Sequence, residues 1–313
     1  MNLQQLRYIT EIAKRGLKLS EAAQSLHTSQ PGVSQQVQAL EAEIGVALFV
    51  RQGRRLVALT DAGREVVACA ERALAEVSNI RRVAADHADG GQGELAVAVT
   101  HTQARYALPP VIAAFKKAYP RVHLKLLQGN PHQLARWVQG GEAQLAIATE
   151  ALDQYDSLVA LPGYQWHHGV VVPSRHALSR VKPLTLEAIA KYPIVTYDPT
   201  FAGRTAIDGA FARRGLSPDI VMTALDSDVI KSYVALGLGV GLISSRAFER
   251  GRDKGLSLLE AAHLFPVQTT RLAFRRGTRL RAFEKAFIRL FVPHLGAEGL
   301  DRLAGAAGED FAI

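Results

Sequence analysis

The sequence predicts an α/β protein in which a helical N-terminal part precedes a larger part built from alternating strands and helices. Three short amphipathic patterns fill the first 45 residues, and residues 61–88 carry small or apolar side chains at alternating steps of four and three. From residue 95 onward, short apolar runs typical of buried strands alternate with helical segments. A chain of 313 residues is longer than one small domain needs. We therefore expect domain boundaries at 1–60, 61–92 and 93–313.

The composition limits the classes of protein to which the chain can belong. Its formal net charge of +8 favours polyanionic partners. A single cysteine, Cys69, excludes an internal disulfide and a cysteine-rich metal site. The N-terminal segment has charges inside its apolar pattern, unlike a signal peptide, and no run of about 18 apolar residues marks a membrane span. We expect a soluble, cytoplasmic protein with no metal, no cofactor and no membrane partner.

The first 60 residues are predicted to form a helix-turn-helix followed by a two-stranded wing. Helices over about 3–16 and 20–26, the second capped by Ser20, lead through a brief turn into a third helix. Two short strands then flank a turn at Gln52-Gly53. Three arginines lie near this turn: Arg51, Arg54 and Arg55. Such arginines usually lie on a solvated surface, but beside a helix-turn-helix the favoured interpretation is contact with phosphates.

The third predicted helix has two faces of different chemistry. Ser29 is a favoured N-cap, Pro31 fits the first turn, and Gly45 suits a left-handed stop. An apolar stripe recurs along one side at Val33, Val37, Leu40 and Ile44. The other sides carry uncharged donors and acceptors: Gln30, Ser34, Gln35 and Gln38. Because amide and hydroxyl groups can pair with base edges in a major groove, we interpret this segment as a recognition helix.

The long helix over 61–88 is predicted to begin at a cap on Thr60 or Asp61. Its stripe of small residues is suited to close approach of two helices, so we interpret it as a dimerisation seam. The alternative is a helix that lies against its own domain. Dimerisation is favoured because paired recognition helices match two half-sites of DNA. Cys69 lies beside the seam and is expected to be a small buried filler, and 89–93 is expected to be a flexible hinge.

The C-terminal part is predicted to contain a parallel sheet with helices on both faces. In such sheets ligands bind where strands end and helices begin. Polar side chains stand at three of these ends: Thr100 with Thr102 and Gln103, Thr149, and Tyr197 with Thr200. Hydroxyls, an amide and helix N-terminal N–H groups together can bind a small anion without a cationic side chain. Each threonine alone is more often a helix cap, and it is their convergence that indicates a binding site.

The N-terminal part resembles a known family. The pattern consists of AA, then TSQPGVSQQVQALEAEIGVALFVR, then LTDAG, and it is similar to the winged helix-turn-helix of LysR-type transcriptional regulators. The resemblance implies base-edge contacts from Gln30, Pro31, Ser34 and Gln35 and DNA-backbone contacts from Ser29, Arg51 and Arg54 or Arg55. It also implies double-stranded promoter DNA, RNA polymerase and a homodimer or homotetramer as partners. The family often has a basic residue where Gln36 stands, so no phosphate contact is expected there.

The C-terminal part resembles the CysB/Cbl branch of the same family, whose members regulate sulfur assimilation and cysteine biosynthesis. The segments that carry the resemblance are THTQARYALP, AIATEAL, GYQWHH, VTY with FAGR, and ALDSDVIKSYVALGLGVGLI. The resemblance implies a periplasmic-binding-protein-like effector domain, with subdomain I at about 93–163 and 267–295 and subdomain II at about 164–266. It implies an effector such as N-acetylserine, O-acetylserine or sulfate.

The same resemblance assigns roles in the effector cleft. The anionic group is expected to bind Thr100, Thr102, Gln103 and Thr149, and Trp166 is expected to line the cleft. The branch has a threonine where this chain has Ala202. Either Thr200 substitutes for that hydroxyl, or the effector preference differs.

A protein of another class on the same scaffold is the alternative interpretation. A small-anion-binding protein for transport would normally carry an export signal, which the sequence lacks. An enzyme would need an acid–base set, for which His101, His167 and His168 are candidates. No serine or carboxylate stands in a recognisable relation to these histidines. We therefore expect a sequence-specific, effector-responsive transcription regulator rather than an enzyme.

Overall fold

The structure, a computed structural model, describes residues 1–53, 55–88, 92–199, 201–296 and 299–300. Two compact units divide the chain, one formed by 1–88 with 277–279 and the other by 89–276 with 280–313. The helices and strands of the first unit are α1 (Leu3–Lys14), α2 (Leu19–Ser25), α3 (Gln30–Ile44), β1 (Phe49–Gln52), β2 (Arg55–Leu59) and α4 (Asp61–Ala88). This order confirms the predicted winged helix-turn-helix, in which β1 and β2 pair antiparallel.

Local hydrogen bonds set the ends of the short helices. The Ser29 hydroxyl oxygen accepts from the Gly32 N–H at 3.2 Å and caps α3, which ends at Gly45 with a left-handed φ of 77°. The predicted cap at Ser20 is wrong. Helix α2 already begins at Leu19, and Lys18 is its N-cap without a side-chain bond, so Ser20 lies inside the first turn.

The first half of α4 packs on its own domain. Val67 and Ala70 are buried in one core with residues of α1 and α3. A Cβ on Gly63 would lie 2.0 Å from the Leu48 carbonyl oxygen, so the helix approaches the start of the wing as closely as a glycine allows. The dimerisation seam predicted here is therefore intramolecular over these residues. Beyond them, Ile80 is 69% exposed and is open to a partner.

Cys69 is exposed, so its predicted role as a buried filler is wrong. It lies one position before Ala70, on the side of α4 that turns away from the core. Its sulfur lies 3.0 Å from the guanidinium of Arg72, one turn further along the helix.

The second unit contains two five-stranded sheets. Sheet I has the order β4-β3-β5-β12-β6, and sheet II has the order β11-β7-β10-β8-β9. The strands are β3 (Gly93–Val99), β4 (Val122–Gln128), β5 (Leu145–Ala148), β6 (Leu158–Trp166), β7 (His168–Pro173), β8 (Ile194–Tyr197), β9 (Ile220–Ala224), β10 (Val240–Ser244), β11 (Leu256–Glu260) and β12 (Gln268–Arg275). The helices are α5 (Leu108–Ala118), α6 (Pro131–Gly140), α7 (Leu186–Ile189), α8 (Ala202–Arg213), α9 (Ser227–Ala235) and α10 (Ala282–Phe291).

The prediction of a parallel sheet is right for three strands of each sheet and wrong for the other two. Strands β4, β3 and β5 are parallel, as are β9, β8 and β10. Strands β12 and β6 join sheet I antiparallel to their neighbours, and β7 and β11 do the same in sheet II. The reason is the path of the chain, which passes from sheet I to sheet II between β6 and β7 and returns between β11 and β12.

Strand β3 is buried on both faces, and this burial positions the residue that follows it. Its larger side chains, Leu95, Val97 and Val99, pack in the core that includes Phe115 of α5 and Phe287 of α10. Ala96 and Ala98 face the other way and allow α6 to pack closely. No helix in the described part of the chain is both long enough and apolar enough to cross a membrane.

Candidate functional site

The N-terminal half of the outer face of α3 is formed by uncharged residues. Gln30, Pro31 and Gln35 are exposed and Ser34 is half-buried. The cap at Ser29 uses the hydroxyl oxygen as an acceptor, which leaves the hydroxyl proton to be donated outward. Ser29, Gln30, Ser34 and Gln35 therefore present amide and hydroxyl groups at the N-terminal end of α3.

Two of the three arginines of the wing, Arg51 and Arg55, lie in the described part of the chain and differ in their surroundings. The guanidinium of Arg51 forms an ion pair with Glu41 at 2.9 Å. The other carboxylate oxygen of Glu41 accepts the backbone N–H groups of Leu48 and Phe49 at 2.8 and 3.2 Å, so Glu41 ties α3 to the start of the wing. Arg55 is exposed on β2. Arg54 lies outside the described residues.

Five of the six residues predicted to bind an effector line one cleft in the second unit. Thr100, Thr102, Gln103, Thr149 and Trp166 all contribute to the wall of this cleft, which is partly open to solvent. Thr200, the sixth, lies outside the described residues. The wall also contains residues that the sequence did not single out as ligands: Glu150, Tyr197, Phe201, Gly203, Leu225 and Ser244.

The two sheets explain this convergence. Strands β3 and β5 are parallel neighbours, so Thr100 and Thr149, which follow their last residues, lie at the same edge of sheet I. Tyr197 and Ser244 end the parallel neighbours β8 and β10 of sheet II. The cleft therefore lies between the carboxyl ends of the strands of both sheets, where helix N-termini also converge.

The hydroxyl of Thr149 is held by two buried neighbours. The indole N–H of Trp166 donates to its oxygen at 3.2 Å, and the Thr270 hydroxyl lies 3.2 Å away on β12. If both neighbours donate, the proton of Thr149 is left for a ligand. Trp166 thus orients the binding group as well as lining the cleft. Thr270 is fully buried and was missed by the sequence analysis, in which it was one residue of an ordinary strand.

Gln103 is oriented by a neighbouring phenol. The Tyr164 hydroxyl donates to the side-chain carbonyl of Gln103, so the amide N–H₂ group is the part left for a ligand. Burial raises the pKa of Tyr164, which therefore remains a donor. Gln103 begins a π-helical turn (Gln103–Ala107), a feature that is often found at functional sites. This turn is a local irregularity that apolar periodicity does not reveal.

Tyr197 forms a neutral wall on the side of sheet II. Its hydroxyl lies 2.7 Å from the Ser227 hydroxyl and accepts the Ser244 N–H at 2.9 Å. Burial raises its pKa to about 12, so the phenol carries no charge at neutral pH.

Each of the three histidines named as acid–base candidates has a buried ring nitrogen. His168 is fully buried between the rings of Trp166 and Phe265, with centroid distances of 4.9 and 5.4 Å. Burial lowers its pKa to about 4, so its imidazole is neutral at physiological pH. In the described part of the chain, the Nδ1 atoms of His101 and His167 are buried without a hydrogen-bond partner.

One group of possible metal ligands lies near the cleft, formed by His101, Asp226 and Asp228. Both carboxylates already have structural roles. Asp226 caps α9 by accepting the Val229 N–H, and Asp228 forms an ion pair with Arg105 at 2.8 Å. Because the negative charge of Asp228 is already balanced, we assign this group to the structure of the protein.

Comparison with known proteins places these features in context. Residues 88–296 match the profile described as "LysR substrate binding domain", and residues 3–64 match "Bacterial regulatory helix-turn-helix protein, lysR family". The chain is similar to the HTH-type transcriptional regulator CysB of Burkholderia cenocepacia, with 49% identity over 313 residues and full coverage of both chains. It is also similar to the HTH-type transcriptional regulator SsuR of the same organism, with 51% identity over 295 residues. This alignment covers 94% of this chain and 96% of SsuR.

Two further comparisons point to the same group of proteins. The regulator cbl of Escherichia coli is 45% identical over 310 residues, covering 99% of this chain and 98% of cbl. A solved structure of the cofactor-binding domain of the Cbl transcriptional regulator is 46% identical, with a TM-score of 0.66. That match covers 67% of this chain and 92% of the solved domain.

Proposed function

Because the chain belongs to the LysR family of transcriptional regulators, we propose that it binds specific promoter DNA and changes its activity when a small anion fills the cleft. The expectation of a regulator rather than an enzyme is confirmed by these relatives. The observation that carries the proposal is the meeting of the polar side chains of Thr100, Gln103 and Thr149 in one cleft. Hydroxyl and amide groups of this kind are suited to holding a small anion.

The proposed effector is a small anionic metabolite of sulfur assimilation or cysteine biosynthesis. N-acetylserine, O-acetylserine and sulfate are the candidates, since the chain shares nearly half its residues with proteins named CysB, SsuR and Cbl. The proposed targets are the genes of the same pathways, and activation of such genes would require contact with RNA polymerase. Ala202, which replaces the threonine expected in this branch, begins α8 at the edge of the cleft and bears on which candidate is preferred.

We expect Gln35→Ala to relax the base preference of the protein. Gln35 is exposed on α3, and a bidentate contact between an amide and a base contributes about 1–3 kcal/mol of discrimination. The measurement is selection of bound sequences from a random DNA library, followed by fluorescence anisotropy on the selected and scrambled sequences. The variant should lose preference at one or two positions of each half-site.

Arg55→Ala provides the contrast to this variant. If Arg55 contacts a phosphate, Arg55→Ala should weaken binding to the selected and the scrambled DNA sequences by the same factor. It should also reduce the slope of affinity against salt concentration. If Gln35→Ala left the base preference unchanged, the proposal that Gln35 on α3 contacts bases would be wrong.

The protein is proposed to act as a homodimer or homotetramer. An apolar face on and just after α9 is left uncovered in the single chain, formed by Val229, Tyr233 and Leu236 at helical spacing. Leu236 is 79% exposed. Patches of this kind mark interaction surfaces, and paired half-sites in DNA require paired recognition helices. A second copy of the chain is the proposed occupant of this face.

Leu236→Glu should weaken self-association at least tenfold, because the charge would lose its water in the interface. Sedimentation velocity over a concentration series measures this change. Ala212→Glu places the same side chain at an exposed position of α8 and is the matched control. Equal association of both variants and the wild type would mean that another surface joins the subunits.

A further inference from the structure

We infer that Arg246 is a positioning residue of the effector cleft, which acts through Tyr164 to hold the amide group of Gln103 with its N–H₂ toward a bound anion. The inference rests on the proposed function of the cleft. It adds to that function a cation that polarises one of the binding groups without touching the ligand. The ligand group that this arrangement favours at Gln103 is an anionic oxygen, which accepts hydrogen bonds and does not donate them.

Arg246 is held beside the cleft by the backbone on either side of it. It lies in a 3₁₀ turn (Ser245–Ala247) that directly follows β10, whose last residue is part of the cleft wall. The first N–H of this turn donates to the His167 carbonyl at 2.9 Å, and its last carbonyl accepts from the ammonium of the buried Lys231 at 2.8 Å. These bonds fix the position from which the side chain of Arg246 extends.

The guanidinium of Arg246 stands over the ring of Tyr164, with 4.1 Å between its central carbon and the ring centroid. Tyr164 belongs to β6 of sheet I, whereas Arg246 follows β10 of sheet II, so the contact joins the two sheets. In the described part of the chain no carboxylate pairs with Arg246, which leaves its charge to act on the ring. A cation at this distance from an aromatic face is attracted by the π electrons of the ring.

A cation over the ring makes the Tyr164 hydroxyl a better hydrogen-bond donor. It draws π-electron density toward itself and away from the hydroxyl oxygen, and linked hydrogen-bonding groups polarise one another in the same way. Burial raises the pKa of Tyr164, while a hydrogen bond with Thr270 and the positive charge of Arg246 act in the opposite direction. The hydroxyl therefore keeps its proton at neutral pH, and this proton is polarised toward an acceptor.

The acceptor of this proton is the side-chain carbonyl of Gln103. An amide side chain offers an oxygen at one end and an N–H₂ group at the other, so the partner of one end decides which end is left for a ligand. Because Tyr164 donates, the N–H₂ group of Gln103 is left for the cleft. Gln103 is 4% exposed, so little water is available to stabilise the reversed orientation.

The test measures anion affinity by calorimetric titration of the full chain, with sulfate as the first probe and N-acetylserine as the second. Arg246→Met keeps a long side chain but removes the charge, and it should lower anion affinity by about two- to fivefold. Arg246→Lys keeps a cation at this position and should recover most of this loss. Arg250→Met removes the same charge from an exposed position of the same segment and should bind both anions as the wild type does.

Tyr164→Phe tests whether the charge acts through the hydroxyl. This variant keeps the ring on which Arg246 stacks but loses the bond to Gln103, so anion affinity should fall by about two- to tenfold. In the Tyr164→Phe background, Arg246→Met should change anion affinity by less than about 1.5-fold, because the hydroxyl through which it acts is already absent. Thermal unfolding checks that each variant is folded.

The outcomes separate the two levels of the proposal. If Arg246→Met binds the anions as tightly as the wild type, or lowers affinity by the same factor with and without the Tyr164 hydroxyl, the action through Tyr164 is refuted while the anion cleft stands. The second of these results would mean a direct attraction between Arg246 and the anion. If neither sulfate nor N-acetylserine binds the wild type, the proposed anion-responsive function fails, and this inference fails with it.

Discussion

Replacing Thr100 with valine should abolish the response to the effector while leaving DNA binding intact. Thr100 is 6% exposed, and valine has nearly the same shape, so the substitution removes one hydroxyl from the cleft. The backbone bonds at this position, from the Thr100 N–H to Ile147 and from the Ala104 N–H to Thr100, are unaffected. A hydrogen bond to a charged ligand contributes about 1.5–3 kcal/mol, so we expect effector affinity to fall by a factor of roughly 10 to 150.

Two measurements on the same protein check this expectation. Calorimetry reports effector affinity, and fluorescence anisotropy with and without effector reports DNA binding and its response. Thr100→Ser keeps the hydroxyl and should retain most of the response. If Thr100→Val lost effector and DNA binding together, Thr100 would have a structural role rather than a role in binding.

Gly63→Ala should destabilise the first unit by about 3 kcal/mol and abolish specific DNA binding. The added methyl group would lie 2.0 Å from the Leu48 carbonyl oxygen, well inside van der Waals contact. That carbonyl also accepts the Thr60 N–H at 3.0 Å, so it cannot move away without breaking the junction between wing and helix. Overpacking of this kind typically costs 1–3 kcal/mol, and a clash with the backbone falls at the upper end of that range. The wing, including Arg55, would then shift relative to α3, and the two could no longer contact the same DNA site together.

Denaturant unfolding and anisotropy on a selected DNA sequence measure these effects. Gly251→Ala is the control, since that glycine has open space around it and needs no left-handed backbone. If Gly63→Ala matched this control in both stability and DNA affinity, the close approach of α4 to the wing would have no importance for the fold.

The sequence predicts the parts of the fold that local rules determine. The ends of α3 follow from Ser29 and Gly45, whose preferences as caps are strong. The meeting of Thr100 and Thr149 follows from the rule that parallel strands end at the same edge. Strands β6 and β11 were not predicted. Strand β6 contains Pro162 and Gly163, which read as turn residues, and β11 is only half-buried at the edge of sheet II.

Other features depend on contacts that the sequence does not show. The spacing of small residues along α4 fits a partner helix and the protein's own core equally well, and only the position of Leu48 beside Gly63 decides between them. Glu150 reads as an ordinary charged residue after a strand, because its bond to Gly203 joins positions that lie 53 residues apart. Such pairings are set by tertiary packing, which has no local signature.

The passage of the chain between the sheets has a mechanical consequence. One residue, His167, separates the end of β6 at Trp166 from the start of β7 at His168. The other passage, between β11 and β12, spans residues 261–267. A rotation of one sheet against the other would have to be accommodated at these two joints. Trp166 donates its hydrogen bond to Thr149 from the last position before the first joint. A rotation at this joint would therefore move Trp166 and, through its hydrogen bond, the Thr149 hydroxyl that we propose binds the anion.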